Sequence, residues 1–155
     1  MKHIVFDHDG TLVNTRSKPL LFSGIKKLLI ELLGQDVKIY IWTARDRHST
    51  VEILKSLEII SFFEDISTAS DGEPKPNVQG LLCMLDGVAK KDIVMVGDSI
   101  SDIVGAKKFS INSVGVLWDH LGSGGYEYLK RENADYICKT VKECRDVLFK
   151  WIKES

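Results

Sequence analysis

His3-Ile4-Val5-Phe6-Asp7-His8-Asp9-Gly10-Thr11 opens the chain with a short apolar run that ends abruptly in two carboxylates and a glycine. Four residues rich in β-branched and aromatic side chains, closed by turn formers, read as a buried strand, His3–Phe6. The same grammar recurs downstream. Gly24–Leu33 carries Ile25, Leu28, Leu29, Leu32 and Leu33 at helical spacing, and Leu20–Leu33 as a whole reads as a helical segment. Val37–Trp42 is a second strand, Ser49–Leu57 a helix and Asp65–Thr68 a third strand. Asn77–Leu85 is read as a helix with Asn77 as its N-cap, followed by strand Ile93–Val96 and helix Ser101–Phe109. Strand Ser113–Leu117, helix Tyr126–Glu132, strand Ala134–Ile137 and helix Val141–Ile152 complete the pattern. Strands that are nearly continuous in apolar residues and alternate with helices pair in parallel and are covered on both faces. The expected fold is therefore α/β: a three-layer, doubly wound, Rossmann-like, mostly parallel sheet in one domain spanning 1–155.

Composition narrows the function classes. The formal net charge of -1 gives no sign of a nucleic-acid surface or of a membrane partner. No apolar run is long enough to span a bilayer, and the stretch before Asp7 is too short for a signal peptide. Three cysteines, Cys83, Cys138 and Cys144, lack metal-type spacing and read as reduced thiols in a cytoplasmic protein.

In open α/β sheets ligands bind beyond the carboxyl ends of the strands, where strand order reverses. The polar residues that follow each strand are thus the informative ones. Asp7-His8-Asp9-Gly10-Thr11 follows the first strand, Thr43-Ala44-Arg45 the second, and Gly97-Asp98-Ser99-Ile100-Ser101-Asp102 the fourth. Asp7 and Asp9, two residues apart after a buried strand, are costly unless a cation compensates them. One or two carboxylates with waters and substrate phosphate suit Mg²⁺, and Asp98 offers a further carboxylate. Gly10 permits a sharp turn and exposes neighbouring N–H groups to an anion. A calcium loop is a poor match, because Gly10 is fourth and Lys18 twelfth in the run from Asp7. Each residue also has a plainer role: Asp7–Thr11 as an Asp-Gly turn, Asp98 as a helix N-cap, Asp102 at a helix N-terminus, Thr43 as an ordinary hydroxyl, and Lys75 as a solvated loop lysine.

Taken together, Asp7-x-Asp9-Gly10-Thr11, Thr43, Lys75 and Gly97-Asp98-x-x-x-Asp102 stand in this order, each at a strand end or in the loop after it. This resembles the haloacid dehalogenase superfamily of phosphohydrolases, with all four of its motifs, over residues His3 to about Ile137. The wording of Val5–Leu12, Glu73–Asn77 and Val96–Ile103 is most similar to the phosphoglycolate-phosphatase-like branch. That branch inserts a helical cap, which is absent here, so its substrate is not carried over.

The resemblance implies a phosphatase acting on a phosphate monoester. Asp7 would be the nucleophile, forming an aspartyl phosphate, and Asp9 the general acid and then base. Asp9 would need a raised pKa in the complex. Mg²⁺ would be held by the Asp7 and Asp98 carboxylates and the Asp9 backbone carbonyl, with Asp102 behind them acting through a water or on Lys75. Thr43 and Lys75 would hold the phosphoryl oxygens, helped by Ala44 and by backbone N–H groups at Gly10 and Thr11. Arg45 is a further candidate, for a second anionic group or else as a surface ion pair, and His120 for the pocket wall or else as a solvated loop histidine. His8 is expected to face away from the chemistry. Partners would be a phosphorylated small metabolite or macromolecule, with a homo-oligomer able to complete the open site. Arg16–Phe22 and Trp118–Gly125 are the loops placed to cover it, Trp118 and the Gly122–Gly125 run being the better cover. The other readings are a phosphate-binding regulatory module without turnover, a phosphotransferase or mutase, and, less suited to the presence of Asp9, a dehalogenase.

Overall fold

Ile4, Val5 and Phe6 have no solvent exposure, which places the first strand, β1 (His3–Phe6), in the middle of the molecule rather than at an edge. The computed structural model describes residues 1–119 and 125–154. After β1 come a two-strand hairpin, β2 (Val13–Asn14) and β3 (Leu20–Leu21), and helix α1 (Ile25–Leu33). Then follow β4 (Lys38–Trp42), α2 (Arg47–Ser56), β5 (Asp65–Ser67) and α3 (Gln79–Met84). The chain continues through β6 (Ile93–Gly97), α4 (Ile100–Lys108), β7 (Asn112–Val116), α5 (Gly125–Arg131), β8 (Tyr136–Cys138) and α6 (Val141–Lys153). Six strands form one sheet in the order β5-β4-β1-β6-β7-β8, and every pairing in it is parallel.

Side-chain alternation sorts the two faces. Ile4, Phe6, Ile39, Ile41, Val94, Val96, Val114 and Val116 point to the layer of α1, α2 and α6, where Leu28, Leu29, Leu32, Leu54, Leu148 and Trp151 meet them. Val5, Tyr40, Trp42 and Met95 point to the opposite layer and pack with Leu81 and Leu85 around α3 and with Ala106 and Phe109 around α4. The expected three-layer sheet is therefore present. All three cysteines are free, and among the described residues no helix is long and apolar enough to cross a membrane.

Winding runs from β1 out to β4 and β5, then returns past β1 to β6 and onward to β8. The reversal falls between β1 and β6, whose register sets Phe6 opposite both Ile41 and Val96. Asp7, Thr43 and Asp98 consequently leave the sheet side by side. No further folded unit is inserted between them. Residues 8–42 hold the hairpin, α1 and β4, and residues 44–74 hold α2, β5 and two single-turn 3₁₀ segments.

Three local expectations are corrected. Leu20 and Leu21 do not begin the helix: they pair antiparallel with Asn14 and Val13, and Phe22 N–H donates to the Leu12 carbonyl. Gly24, at φ 86°, then separates the hairpin from α1 in a left-handed conformation that a helix interior does not tolerate. The N-cap of α4 is Ser99, not Asp98; Ser99 and Asp102 form a reciprocal capping box. Asn77 sits one residue before the N-cap position of α3, yet its side chain still accepts from Gln79 N–H at 2.9 Å.

The core is tightly committed to α1. Leu29→Ala should cost about 2–5 kcal/mol, the range for fully buried leucines, read from urea unfolding. A loss below about 1 kcal/mol would contradict the packing described, since that is the scale of a surface change.

Candidate active site

Lys75 organises the strand ends. It arrives from the loop after β5, and its side chain is only 3% exposed, so it is not a solvated loop lysine. Its Nζ donates to Asp7 Oδ1 at 2.9 Å and to Asp102 Oδ1 at 2.6 Å, and lies 4.9 Å from the centre of the Trp42 ring. Burial alone would lower the Lys75 pKa, but the two carboxylates outweigh it and hold the ammonium charged above its ordinary value. Burial likewise pushes Asp7 up to about 6, with Lys75 opposing and Asp98 adding to the rise. Asp102, fully buried, is also pushed up to about 6, by burial and then by the charge of Asp7.

This arrangement suits a hard divalent cation. Asp7, Asp98 and Asp102 each bring a carboxylate oxygen within 4.8 Å of the others. One ammonium against three carboxylates leaves an excess of negative charge that a cation would neutralise. Two glycines make the approach possible. A Cβ on Gly10, which has φ +81°, would collide with the Asp98 carboxylate, and one on Gly97 would collide with that of Asp102. Asp102 is occupied by Lys75 and by the Ser99 hydroxyl, at 2.8 Å. Asp7 and Asp98 are accordingly the carboxylates placed to face a cation, with Asp102 behind them.

Asp9 has side-chain partners that the sequence did not point to. Its side chain lies outside the Asp7–Asp98–Asp102 group and is held by four contacts. His8 Nδ1 approaches Oδ1 at 2.6 Å, Arg45 Nε donates to Oδ1 at 3.0 Å, Arg45 Nη2 to Oδ2 at 2.7 Å, and the Thr15 hydroxyl to Oδ2 at 3.2 Å. Burial would raise its pKa, but the hydrogen bonds from His8 and Arg45 more than offset that and hold it well below the ordinary carboxylate range. The raised value that a proton donor needs is thus absent in this arrangement. His8 does not face away from the chemistry: it is fully buried, braces Asp9 through Nδ1, and leaves Nε2 without a partner.

A cleft of about 450 Å³ brings together Asp7, Asp9, Thr43, Ala44, Arg45, Lys75, Asp98, Ser99 and Ser101. Thr43 is buried beside Asp7's strand end, its N–H tied to the Ser67 carbonyl and its hydroxyl accepting from Arg45 N–H. Gly10 and Thr11 take another role than anion binding. Gly10 N–H donates to the Val13 carbonyl, Thr11 N–H to that of His8 at 3.4 Å, and the Thr11 hydroxyl to Asp98 Oδ1 at 3.4 Å. The tight turn consumes these donors. Trp118 is likewise anchored, its Nε1 donating to the Thr11 carbonyl at 2.9 Å. Asp119 pairs with Arg16 of the hairpin at 3.3 Å. His120 and residues 121–124 lie outside the described residues. Ser99, Ser101, Ser49 and the bracing role of His8 were not anticipated. The hydroxyls of the Asp98–Asp102 run were the one signal that pointed to Ser99 and Ser101.

A family model described as haloacid dehalogenase-like hydrolase matches residues 16–116. The chain belongs to this family. A solved relative, a haloacid dehalogenase-like family hydrolase from Streptococcus pneumoniae, superposes with a TM-score of 0.83 at 21% identity, covering 96% of this chain and 98% of that one. The pyrophosphatase PpaX of Bacillus mycoides is 31% identical over 132 residues, 82% of this chain and 59% of its own length. The tyrosine-protein kinase PtkA of Mycobacterium tuberculosis is also 31% identical, over 83% of this chain and 45% of its own. The chain thus spans about three-fifths or less of these curated relatives.

In this family member the buried charges depend on one another. Lys75→Met would leave Asp7 and Asp102 without their counter-ion, and removing one partner of a buried pair costs about 3–5 kcal/mol. Both carboxyls have raised folded pKa values near 6. The stability linked to their protonated forms is therefore present below the unfolded value and is lost as pH rises through about 6. Denaturation in metal-free buffer should accordingly show a larger loss for the variant at pH 7.5 than at pH 5. A pH-independent loss would contradict this charge assignment.

Proposed function

We propose that the protein is a phosphatase that hydrolyses a phosphate monoester through an aspartyl phosphate on Asp7, with Mg²⁺ as its cofactor. The observation that carries this reading is the pairing of Asp7 with Lys75 at the sheet's switch point, beside Asp98 and open to a cleft. Membership of a hydrolase family and similarity to a protein named pyrophosphatase support it.

In the first displacement the Asp7 carboxylate bonds to phosphorus while the bond to the leaving oxygen breaks. Asp9, once released from its present partners, takes up a proton from solvent and passes it to that oxygen. In the second, water attacks phosphorus, Asp9 takes its proton, and the Asp7 carboxylate is regenerated. Lys75 and the Thr43 hydroxyl stabilise charge on the phosphoryl oxygens, and Asp102 keeps Lys75 aimed at them. Asp7, Asp98 and the Asp9 carbonyl would hold Mg²⁺, which neutralises charge on nucleophile and phosphoryl group. Transfer to an acceptor other than water would use the same nucleophile, but a cleft without a lid among the described residues admits water and favours hydrolysis.

Asp7→Asn should keep the fold and lower Mg²⁺-dependent release of phosphate from p-nitrophenyl phosphate by about 10³-fold or more, as loss of a covalent nucleophile does. Activity within tenfold of wild type would remove Asp7 from the role. Phosphate binding without release by the wild type would instead support a regulatory module. EDTA should abolish turnover and Ca²⁺ should inhibit it, because Ca²⁺ takes more ligands at longer distances than the octahedral Mg²⁺ site. Undiminished turnover in EDTA would rule out the metal.

A further inference from the structure

The four contacts on Asp9 use up its hydrogen-bonding capacity. A carboxylate has about four lone-pair sites, and His8, Thr15 and the two donors of Arg45 take them all. Asp9 therefore cannot engage a leaving oxygen until a partner departs. His8 is buried and adjacent in sequence, so it is fixed. Arg45 is different. Its side chain is 26% exposed and lines the cleft, and its remaining donor, Nη1, reaches Ser49 on α2. A guanidinium released from one carboxylate needs another planar anion to replace both hydrogen bonds, because the two-pronged pairing is what a guanidinium holds best.

We propose that Arg45 selects substrates carrying a second anionic group beside the reacting phosphoryl, and that it does so by exchanging Asp9 for that group. The inference rests on the phosphatase reading and adds a substrate class to it. A substrate with a second phosphate or a carboxylate within reach of Arg45 draws the guanidinium off and frees Asp9 for the leaving oxygen. A substrate with an uncharged leaving group leaves Arg45 on Asp9 and gains neither effect. Selection thus comes from the Arg45–Asp9 ion pair itself.

The test uses non-hydrolysable ligands, so that it stands apart from turnover. Dissociation constants are measured by calorimetry at saturating Mg²⁺ for methylphosphonate, with one anionic group, and for methylenediphosphonate and phosphonoacetate, with two. Wild type should bind at least one of the two-anion ligands about 10- to 100-fold more tightly than methylphosphonate, the scale of charge-assisted bidentate bonds. Which of the two is preferred distinguishes a phosphate from a carboxylate as the second group. Arg45→Met should lose about tenfold or more of that preference, and Arg45→Lys, which keeps the charge without the fork, most of it. Asp9→Asn should increase the preference by freeing Arg45, and the double variant Asp9→Asn/Arg45→Met should show no such gain. Thermal melts confirm that each variant is folded. A wild type without preference, binding none of the three included, overturns the proposal, as does a preference that survives in Arg45→Met or an Asp9→Asn gain that persists in the double variant. The phosphatase reading fails separately, if neither p-nitrophenyl phosphate nor the two-anion substrate inorganic pyrophosphate releases phosphate in the presence of Mg²⁺.

Discussion

One buried ammonium holds the working end of this molecule together. Lys75 enters from the β5 side, Asp7 ends β1, and Asp102 lies in the first turn of α4 after β6, so a single side chain ties together three segments distant in sequence. Taking these charges out of water costs several kcal/mol per ion and is offset only when geometry and hydrogen bonding are complete. Lys75 has two carboxylate partners and an aromatic face, and Asp102 has Ser99 as well. The balance is deliberately unequal in charge: Asp98 makes a third carboxylate against the one ammonium. A cation is the natural remainder of that sum. It would sit where the nucleophile and an anionic substrate otherwise repel each other.

The backbone around this group is shaped by what the carboxylates need. Gly10 takes a left-handed conformation and lies against Asp98, and Gly97 leaves room for Asp102. The turn that follows Asp7 spends its own N–H groups on the Val13 and His8 carbonyls. Its contribution is therefore position, and in the proposed mechanism the phosphoryl oxygens are left to side chains from β4 and the loop after β5, Thr43 and Lys75. Asp9 stands apart from the charged group and is clasped by Arg45 from the α2 side. The site thus has two electrostatic units, one built around Lys75 and one around Asp9. Catalysis by this account needs the first to stay fixed and the second to open.

Much of this was legible in the sequence, for physical reasons that differ by element. The sheet was readable because β1, β4 and β6 are buried on both faces and so are apolar almost throughout. Asp7, Asp9 and Asp98 stood out because carboxylates at buried strand ends demand compensation, which is a local statement, whereas Asp102, in the first turn of α4, was reached only through the motif around it. The hairpin was not, since Leu20 and Leu21 have the apolar character of the α1 face beside them, and only the left-handed Gly24 separates the two. The N-cap of α4 was misplaced by one residue because Asp98 and Ser99 are both good caps, and only the capping box with Asp102 chooses between them. His8 was misjudged, and the partner of Arg45 went unnamed, for a deeper reason. Their partner is Asp9, and an ion pair between residues 36 apart is a tertiary fact without a local signature. The plain reading of Lys75 as a loop lysine failed in the same way, and only the motif context around it pointed inward.

The central claim is that Asp7 is a covalent nucleophile, and chemical trapping tests it most directly. Borohydride added during turnover reduces an acyl phosphate to the alcohol, converting an aspartate to homoserine, which peptide mass spectrometry locates. The account predicts conversion at Asp7, dependent on both Mg²⁺ and substrate. Turnover without conversion at Asp7, or conversion at Asp9 or Asp98 instead, would contradict it.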